Sequence, residues 1–281
     1  MKGFIEVSYN ELLYTSAIVE TKLFSGGEVN IKIPNSKIPY VTSANIVAVL
    51  HDTEMLMALL QTVDALRIKY NKLEKIELIM PYAPYARQDR VCNVGESLSC
   101  KVFANLINSC DFNRVSIVDA HSDVLPALIN NCTNLDVLSV INRIEPLRRS
   151  LQAKEYVICA PDFGSTKKVE KVAKAFKHET IIQGTKKRDL STGELSGFGA
   201  YGDCMGKDIL IIDDICDGGG TFVGLAKVLK TLGAKSVSLY ISHGIFSRGI
   251  DILVDNGIDH VYTTNSFEEA THDKLTTFAI I

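Results

Sequence analysis

Ile209-Leu210-Ile211-Ile212-Asp213-Asp214-Ile215-Cys216-Asp217-Gly218-Gly219-Gly220-Thr221 decides how this chain folds. The unbroken apolar run Ile209–Ile212 predicts a strand buried on both faces, as in a parallel sheet. Two carboxylates, Asp213 and Asp214, follow at the predicted end of that strand, and packing gives no reason for them there. A glycine turn then opens a helix whose apolar face carries Phe222, Leu225, Ala226 and Leu229 and whose stop is Gly233. In an open α/β sheet, ligands sit beyond the carboxyl ends of strands. A glycine turn at a helix N-terminus offers backbone N–H groups and the positive end of a dipole to a phosphate. The carboxylates suit sugar hydroxyls or a bridging Mg²⁺ instead. Together they describe a site for a phosphorylated pentose.

Outward from that stretch the chain alternates strands and helices. Short strands are predicted at 4–7, 17–19, 29–33 and 46–50, with a turn at Phe24-Ser25-Gly26-Gly27-Glu28. Helical spacing covers 53–70, and a strand at 76–80 leads into Pro81-Tyr82-Ala83-Pro84-Tyr85-Ala86-Arg87-Gln88-Asp89-Arg90, where two prolines forbid helix at the start. A helix over 98–108 precedes the strand 115–118, which ends in Asp119-Ala120-His121-Ser122-Asp123. That acidic strand end echoes 209–217 and suggests two similar α/β halves, divided near 138–142. The second half continues with a strand at 156–159, the turn Pro161-Asp162-Phe163-Gly164-Ser165, a helix over 165–177 and a strand at 180–182. A loop over 184–189, a strand at 236–241, a short helix near 247–256 and a strand at 260–262 complete it. The expectation is an α/β fold with domains 1–140 and 141–281, each a mainly parallel sheet flanked by helices.

Composition narrows the function classes. With 46% hydrophobic and 22% charged residues over 281 positions, the chain can build packed cores. A net charge of -3 argues against a general nucleic-acid binder. Seven scattered cysteines, none spaced C-x-x-C, read as reduced thiols without structural zinc, which points to the cytoplasm. No signal-peptide pattern opens the sequence and no apolar run is long enough to span a membrane. There is no Walker A pattern. Gly197-Phe198-Gly199-Ala200-Tyr201-Gly202 matches G-x-G-x-x-G, but it follows a polar loop and opens no periodic helix, so the dinucleotide reading fails.

Several motifs then fall in one order: Phe24-x-Gly-Gly-Glu28, Tyr85-Ala-Arg87-Gln88-Asp89-Arg90, Asp119-Ala-His121, Pro161-Asp162-Phe-Gly164, Lys186-Lys-Arg188, Asp213-Asp214 through Thr221, and Ser242-His243-Gly244. In this the chain resembles the ribose-phosphate diphosphokinase (PRPP synthetase) family, over about residues 20 to 265. The resemblance implies a phosphoribosyltransferase-like fold. It also implies transfer of the β,γ-diphosphoryl group of ATP to ribose 5-phosphate. Lys186 and Arg188 would be catalytic, on a mobile loop. Arg87, Gln88, Arg90 and His121 would bind ATP, while Phe24 and Glu28 grip its adenine from a neighbouring subunit, which requires a homo-oligomer, a dimer or hexamer. His121 and Asp162 would hold Mg²⁺. Asp213, Asp214, Asp217, Gly218, Gly219, Gly220 and Thr221 would hold the ribose phosphate.

The chain departs from the family pattern at Gly26, where an acid is usual, at Ser165, which is expected to cap the next helix, and at Gly218, where a threonine is usual. Gly218 has two readings. One is neutral drift; the other is a pocket opened at the sugar's 5-end, which would admit ADP-ribose as acceptor and feed a nicotinamide salvage step. Lys167, Lys171 and Lys174 form a solvated helix stripe, from which Lys167 is a candidate diphosphate contact. Two rival functions are a phosphoribosyltransferase, which would not need the Arg87–Arg90 run, and a non-catalytic regulatory homologue, which would be expected to have lost core positions that are all present here.

Overall fold

The computed structural model describes residues 3–10, 12–35, 38, 40–188 and 195–280. The chain divides into two compact units, Met1–Leu135 and Asp136–Ile281. The divide lies a few residues before the expected 140/141. Strand pairing continues through Leu135, and Asp136 opens the next element by accepting the Ser139 N–H on its carboxylate at 2.9 Å.

The first unit contains β1 (Phe4–Tyr9), β2 (Leu12–Ile18), β3 (Glu20–Leu23), β4 (Val29–Lys32), β5 (Ser43–Val49), α1 (Thr53–Lys69), β6 (Lys75–Met80), α2 (Ser99–Ser109), β7 (Arg114–Val118), α3 (Val124–Leu128) and β8 (Cys132–Leu135). Its main sheet runs β2-β1-β5-β6-β7-β8, parallel from β5 onward, with β1 antiparallel to both neighbours. β5 and β6 bury alternate residues, so Ile46, Ala48, Ile76, Leu78 and Met80 meet Leu59, Val63 and Leu66 of α1 in one apolar core. Asp52 caps α1 by accepting the Met55 N–H at 2.8 Å. β3 and β4 form a separate hairpin, tied to α1 where the Gln61 amide donates to the Val29 carbonyl at 2.8 Å.

The second unit contains α4 (Val137–Arg143), α5 (Glu145–Gln152), β9 (Val157–Ala160), α6 (Thr166–Ala175), β10 (Ile182–Arg188), β11 (Leu195–Tyr201), β12 (Asp208–Cys216), α7 (Gly220–Thr231), β13 (Ser236–Gly244), α8 (Asp251–Val254), β14 (His260–Thr264) and β15 (Leu275–Phe278). The sheet order is β11-β10-β9-β12-β13-β14-β15, parallel throughout except for β11. From β9 the chain crosses through α6 to β10 on one side; from β12 it crosses through α7 to β13 on the other. The order therefore reverses between β9 and β12, and the carboxyl ends of those two strands frame the crevice where open α/β sheets bind ligands. No helix among the described residues is long and apolar enough to cross a membrane, and all seven cysteines are free.

Some elements differ from expectation. The strand expected at 180–182 begins at Ile182 and runs on through the expected loop to Arg188, because β11 pairs with it antiparallel. The helix expected near 247–256 is confined to Asp251–Val254, after a turn in which Phe246 and Gly249 take positive φ. The rejected dinucleotide pattern lies on strand β11, apart from its last glycine, and opens no helix.

Candidate active site

In the second unit, β12 pairs with β9 only from Ile209 to Ile211, while its pairing with β13 continues to Cys216. Asp213 and Asp214 thus lie within the strand, not at its end as expected, on the stretch that outruns β9. Asp214 is 4% exposed, and the Lys168 ammonium on α6 stands 3.9 Å from its carboxylate. Asp213 accepts the Asp214 N–H at 3.0 Å. Burial, then the adjoining Asp214 and then Asp162, push the Asp213 carboxyl well above the ordinary carboxylate range. The site is short of positive charge at that point.

Asp162 follows β9. Its carboxylate accepts the Ser165 N–H at 3.0 Å, while the Ser165 hydroxyl donates back to the Asp162 carbonyl at 2.9 Å. This corrects the expected role of Ser165: it makes no side-chain cap on α6 and serves to close the Asp162 turn. The Lys186 ammonium from β10 forms an ion pair with the Asp162 carboxylate. Burial pushes Asp162 up, but Lys186 together with the Ser165 and Gly164 N–H groups outweighs it and holds the carboxyl below its usual value.

Lys186 is therefore not on a loop. It sits on a hairpin strand opposite Phe198, and the Phe198 ring lies flush on α7, where a Cβ at Gly224 would come within 2.1 Å of it. Gly184, on the same strand, lies where a Cβ would meet the carbonyls of Pro161 and Ala160 at 2.6 and 2.8 Å. Both glycines let the hairpin seat closely. Arg188 closes β10 by its backbone; its side chain, and Asp189, lie outside the described residues.

The turn Asp217-Gly218-Gly219 leads into α7, whose first turn has no side-chain cap and no acidic residue. Gly219 has φ +75, and a Cβ there would meet Leu253 Cδ2 at 2.8 Å, so glycine is required on both counts. Gly218 is different. Its φ is not positive, and the space beside it is taken by Arg248, whose Nε, Cδ and Cγ lie 3.4, 3.6 and 3.9 Å from where a Cβ would stand. Of the two readings of Gly218, the one with an opened pocket has to reckon with that side chain in the space beside it.

In the first unit, the Arg87–Arg90 run follows β6 and the His121 turn follows β7, adjacent parallel strands. Ala83 and Ala86 are buried and anchor the run, leaving Arg87, Gln88 and Arg90 exposed. Burial raises the Asp89 carboxyl, but a hydrogen bond with Ser122 and the Arg90 and His121 charges bring it below its usual value. The two motifs thus meet at one edge of that sheet. Phe24 and Glu28 occupy the exposed tip of the β3–β4 hairpin, where the Phe24 N–H donates to the Glu28 carbonyl at 2.8 Å and Lys22 lies over the Phe24 ring at 5.1 Å. A Cβ at Gly26 would lie 2.5 Å from the Glu28 carboxylate, so the missing acid at 26 leaves room for Glu28 to fold back.

Two residues escaped the sequence reading. Lys168 stands by Asp214; the signal was its place one residue before buried Val169 and four before buried Val172, at the rim of the packed face. Arg248 had no motif to announce it. Lys171 is tied to Asp136 in an ion pair and is not simply solvated.

The family described as the N-terminal domain of ribose phosphate pyrophosphokinase matches residues 9–110, and the phosphoribosyl transferase domain family matches 137–273. A ribose-phosphate pyrophosphokinase of Aquifex aeolicus is 32% identical over 267 residues, covering 92% of this chain and 81% of that protein. One from Mycoplasmopsis pulmonis is 33% identical over 215 residues, covering 76% of this chain and 65% of its own length. In fold, the chain matches the crystal structure of phosphoribosylpyrophosphate synthetase from Mycobacterium smegmatis with a TM-score of 0.79 at 24% identity, over 93% of this chain and 86% of that one. With both halves matched in sequence order and the Aquifex protein aligned over most of its length, the chain belongs to the ribose-phosphate pyrophosphokinase family.

Proposed function

We propose that the chain transfers the β,γ-diphosphoryl group of ATP to the 1-hydroxyl of ribose 5-phosphate, giving PRPP and AMP. The observation that carries this is the meeting of Lys186 with Asp162 at the strand-order reversal, beside the carboxylates and glycine turn of β12. The acceptor's phosphate lies against the N–H groups of the turn Asp217, Gly218, Gly219, Gly220 and Thr221, at the positive end of α7. Asp213 and Asp214 take the sugar hydroxyls. The O1–Pβ bond forms as the bond from Pβ to the α,β-bridging oxygen breaks; AMP leaves with that oxygen, and the proton of the 1-hydroxyl passes to solvent. Negative charge then spreads over the equatorial oxygens of the transferred group. Lys186 and Arg188 stabilise it there, ATP's phosphates competing with Asp162 for the Lys186 ammonium.

Arg87, Gln88, Arg90 and His121 hold ATP, the arginine forks matching phosphate oxygens. The exposed tip carrying Phe24 and Glu28 serves a neighbouring subunit's adenine in a homo-oligomer, dimer or hexamer. The oxygen donors Asp162, Asp213 and Asp214 fit Mg²⁺. Mg²⁺ is commonly held by one or two carboxylates together with substrate phosphates. Asp162, and His121 through water, would hold it, and the ion supplies charge neutralisation and in-line orientation. The free thiols support a cytoplasmic location.

The test is incubation with ATP, Mg²⁺ and ribose 5-phosphate, following AMP and PRPP together. Consumption of PRPP with a nucleobase would instead identify a phosphoribosyltransferase, and no turnover of either would identify a binding homologue.

A further inference from the structure

Arg248 lies on the turn that follows β13, and backbone hydrogen bonds tie that turn to the end of β12. The Ile245 and Phe246 N–H groups both donate to the Cys216 carbonyl, at 2.9 and 3.1 Å. The Gly249 N–H closes the turn onto the Phe246 carbonyl at 2.7 Å, with Phe246 and Gly249 both at positive φ. Cys216 is the residue before Asp217, so the turn bearing Arg248 is registered directly on the glycine turn. The Arg248 side chain runs alongside Gly218, in van der Waals contact with the place of its absent Cβ.

Two features of this placement ask for an anion. A guanidinium beside the N-terminal end of α7 has the wrong sign for the helix dipole, whose positive end favours negative charge. The first turn of α7 supplies no acid and no side-chain cap to offset it. Among the described residues Arg248 has no hydrogen-bond or ion-pair partner, and it is exposed. Gly218 does not have glycine for its backbone conformation, since its φ is one that any residue adopts. The arginine lies across the turn at ordinary contact distance from where a Cβ would stand.

We infer that Arg248 is a specificity-determining residue for the acceptor, closing over the phosphoryl group on the sugar's 5-oxygen while the turn's N–H groups hold it from the other side. This rests on the proposed diphosphoryl transfer for the identity of the acceptor. It assigns to a second loop a contact that the glycine turn alone would otherwise make. A guanidinium offers parallel donors that match two oxygens of one phosphate, so the grip is geometric as well as electrostatic.

The experiment compares the full-length wild type with Arg248→Ala and Arg248→Lys. It measures binding of ribose 5-phosphate and of unphosphorylated ribose by calorimetry, KM for ATP and for ribose 5-phosphate by AMP release, and thermal stability. Loss of one charge-assisted contact weakens ribose 5-phosphate binding by about tenfold to a hundredfold. KM for that substrate rises in parallel, while ribose binding, KM for ATP and stability stay as in the wild type and lysine restores part of the loss. Ribose 5-phosphate affinity within twofold of wild type in Arg248→Ala overturns the inference even where the reaction is confirmed. A wild type that binds ribose 5-phosphate through Arg248 yet releases no AMP overturns the diphosphoryl transfer and leaves the inference standing. A wild type that does not bind ribose 5-phosphate overturns both.

Discussion

Gly218 and Gly219 are neighbours with opposite structural reasons, and alanine at each separates them. At Gly219 the backbone has φ +75, which costs an L-residue roughly 1–2 kcal/mol. The new Cβ would also stand 2.8 Å from Cδ2 of Leu253, a side chain with no exposed surface, so the core must give way. Overpacking of that kind costs about 1–3 kcal/mol, which makes roughly 2–5 kcal/mol in all. For a unit of this size, about 2–4 °C is lost per kcal/mol, so Gly219→Ala lowers the melting temperature of the second unit by about 4–20 °C. At Gly218 neither cost arises. The backbone is unstrained and the nearest atom is the Arg248 Nε at 3.4 Å, an ordinary contact with a mobile side chain. Reduced freedom in the unfolded chain even favours alanine by about 0.4–1 kcal/mol. The assay is thermal unfolding followed by near-ultraviolet circular dichroism, with urea melts to check that the slope is unchanged. Equal melting temperatures for the two variants, or a larger drop for Gly218→Ala, would refute the division of labour between these glycines.

Lys186→Ala removes a charge partner of the transferred phosphoryl group and lowers kcat by roughly 10²–10³ with the fold intact; turnover near wild type would reduce the residue to an ion-pair partner of Asp162. Asp213→Asn raises stability at neutral pH, because a carboxyl whose folded pKa is raised contributes stability at low pH that is lost as pH rises through that pKa. The gain in melting temperature shrinks as pH falls toward the ordinary carboxylate range, while KM for the acceptor rises about tenfold from the lost hydroxyl contact; a pH-independent gain would contradict the crowding of carboxylates at that point. With Arg248 occupying the space beside Gly218, ribose 5-phosphate exceeds ADP-ribose as acceptor by tenfold or more in kcat/KM; parity, or preference for ADP-ribose, would show that the pocket is open at its 5-end.

The buried strands and the glycine turn were legible because their signals are local. Ile209–Ile212 has no polar residue to place it anywhere but a sheet interior, and the turn needs glycine at 219 for a backbone reason that no other side chain satisfies. The hairpin bearing Lys186 was not legible. Lys186-Lys187-Arg188 is polar enough to read as a loop, and it becomes strand only because β11 pairs with it, Lys186 opposite Phe198 and Arg188 opposite Leu195, while Phe198 seats on Gly224 of α7. The same holds for the length of β12. Isolated, two aspartates end a strand; here β13 continues the ladder past them to Cys216. Lys168 was missed because nothing in the sequence of α6 marks a lysine that stands 3.9 Å from Asp214. Arg248 lies further still from any motif. Its place beside Gly218 depends on one carbonyl, that of Cys216, accepting two N–H groups from a turn nearly thirty residues later. Gly218 and Arg248 are therefore readable only as a pair. Alone, the glycine suggests an empty corner and the arginine a solvated charge; together they place a cation beside a helix N-terminus whose first turn carries no acid, where the dipole favours a bound anion.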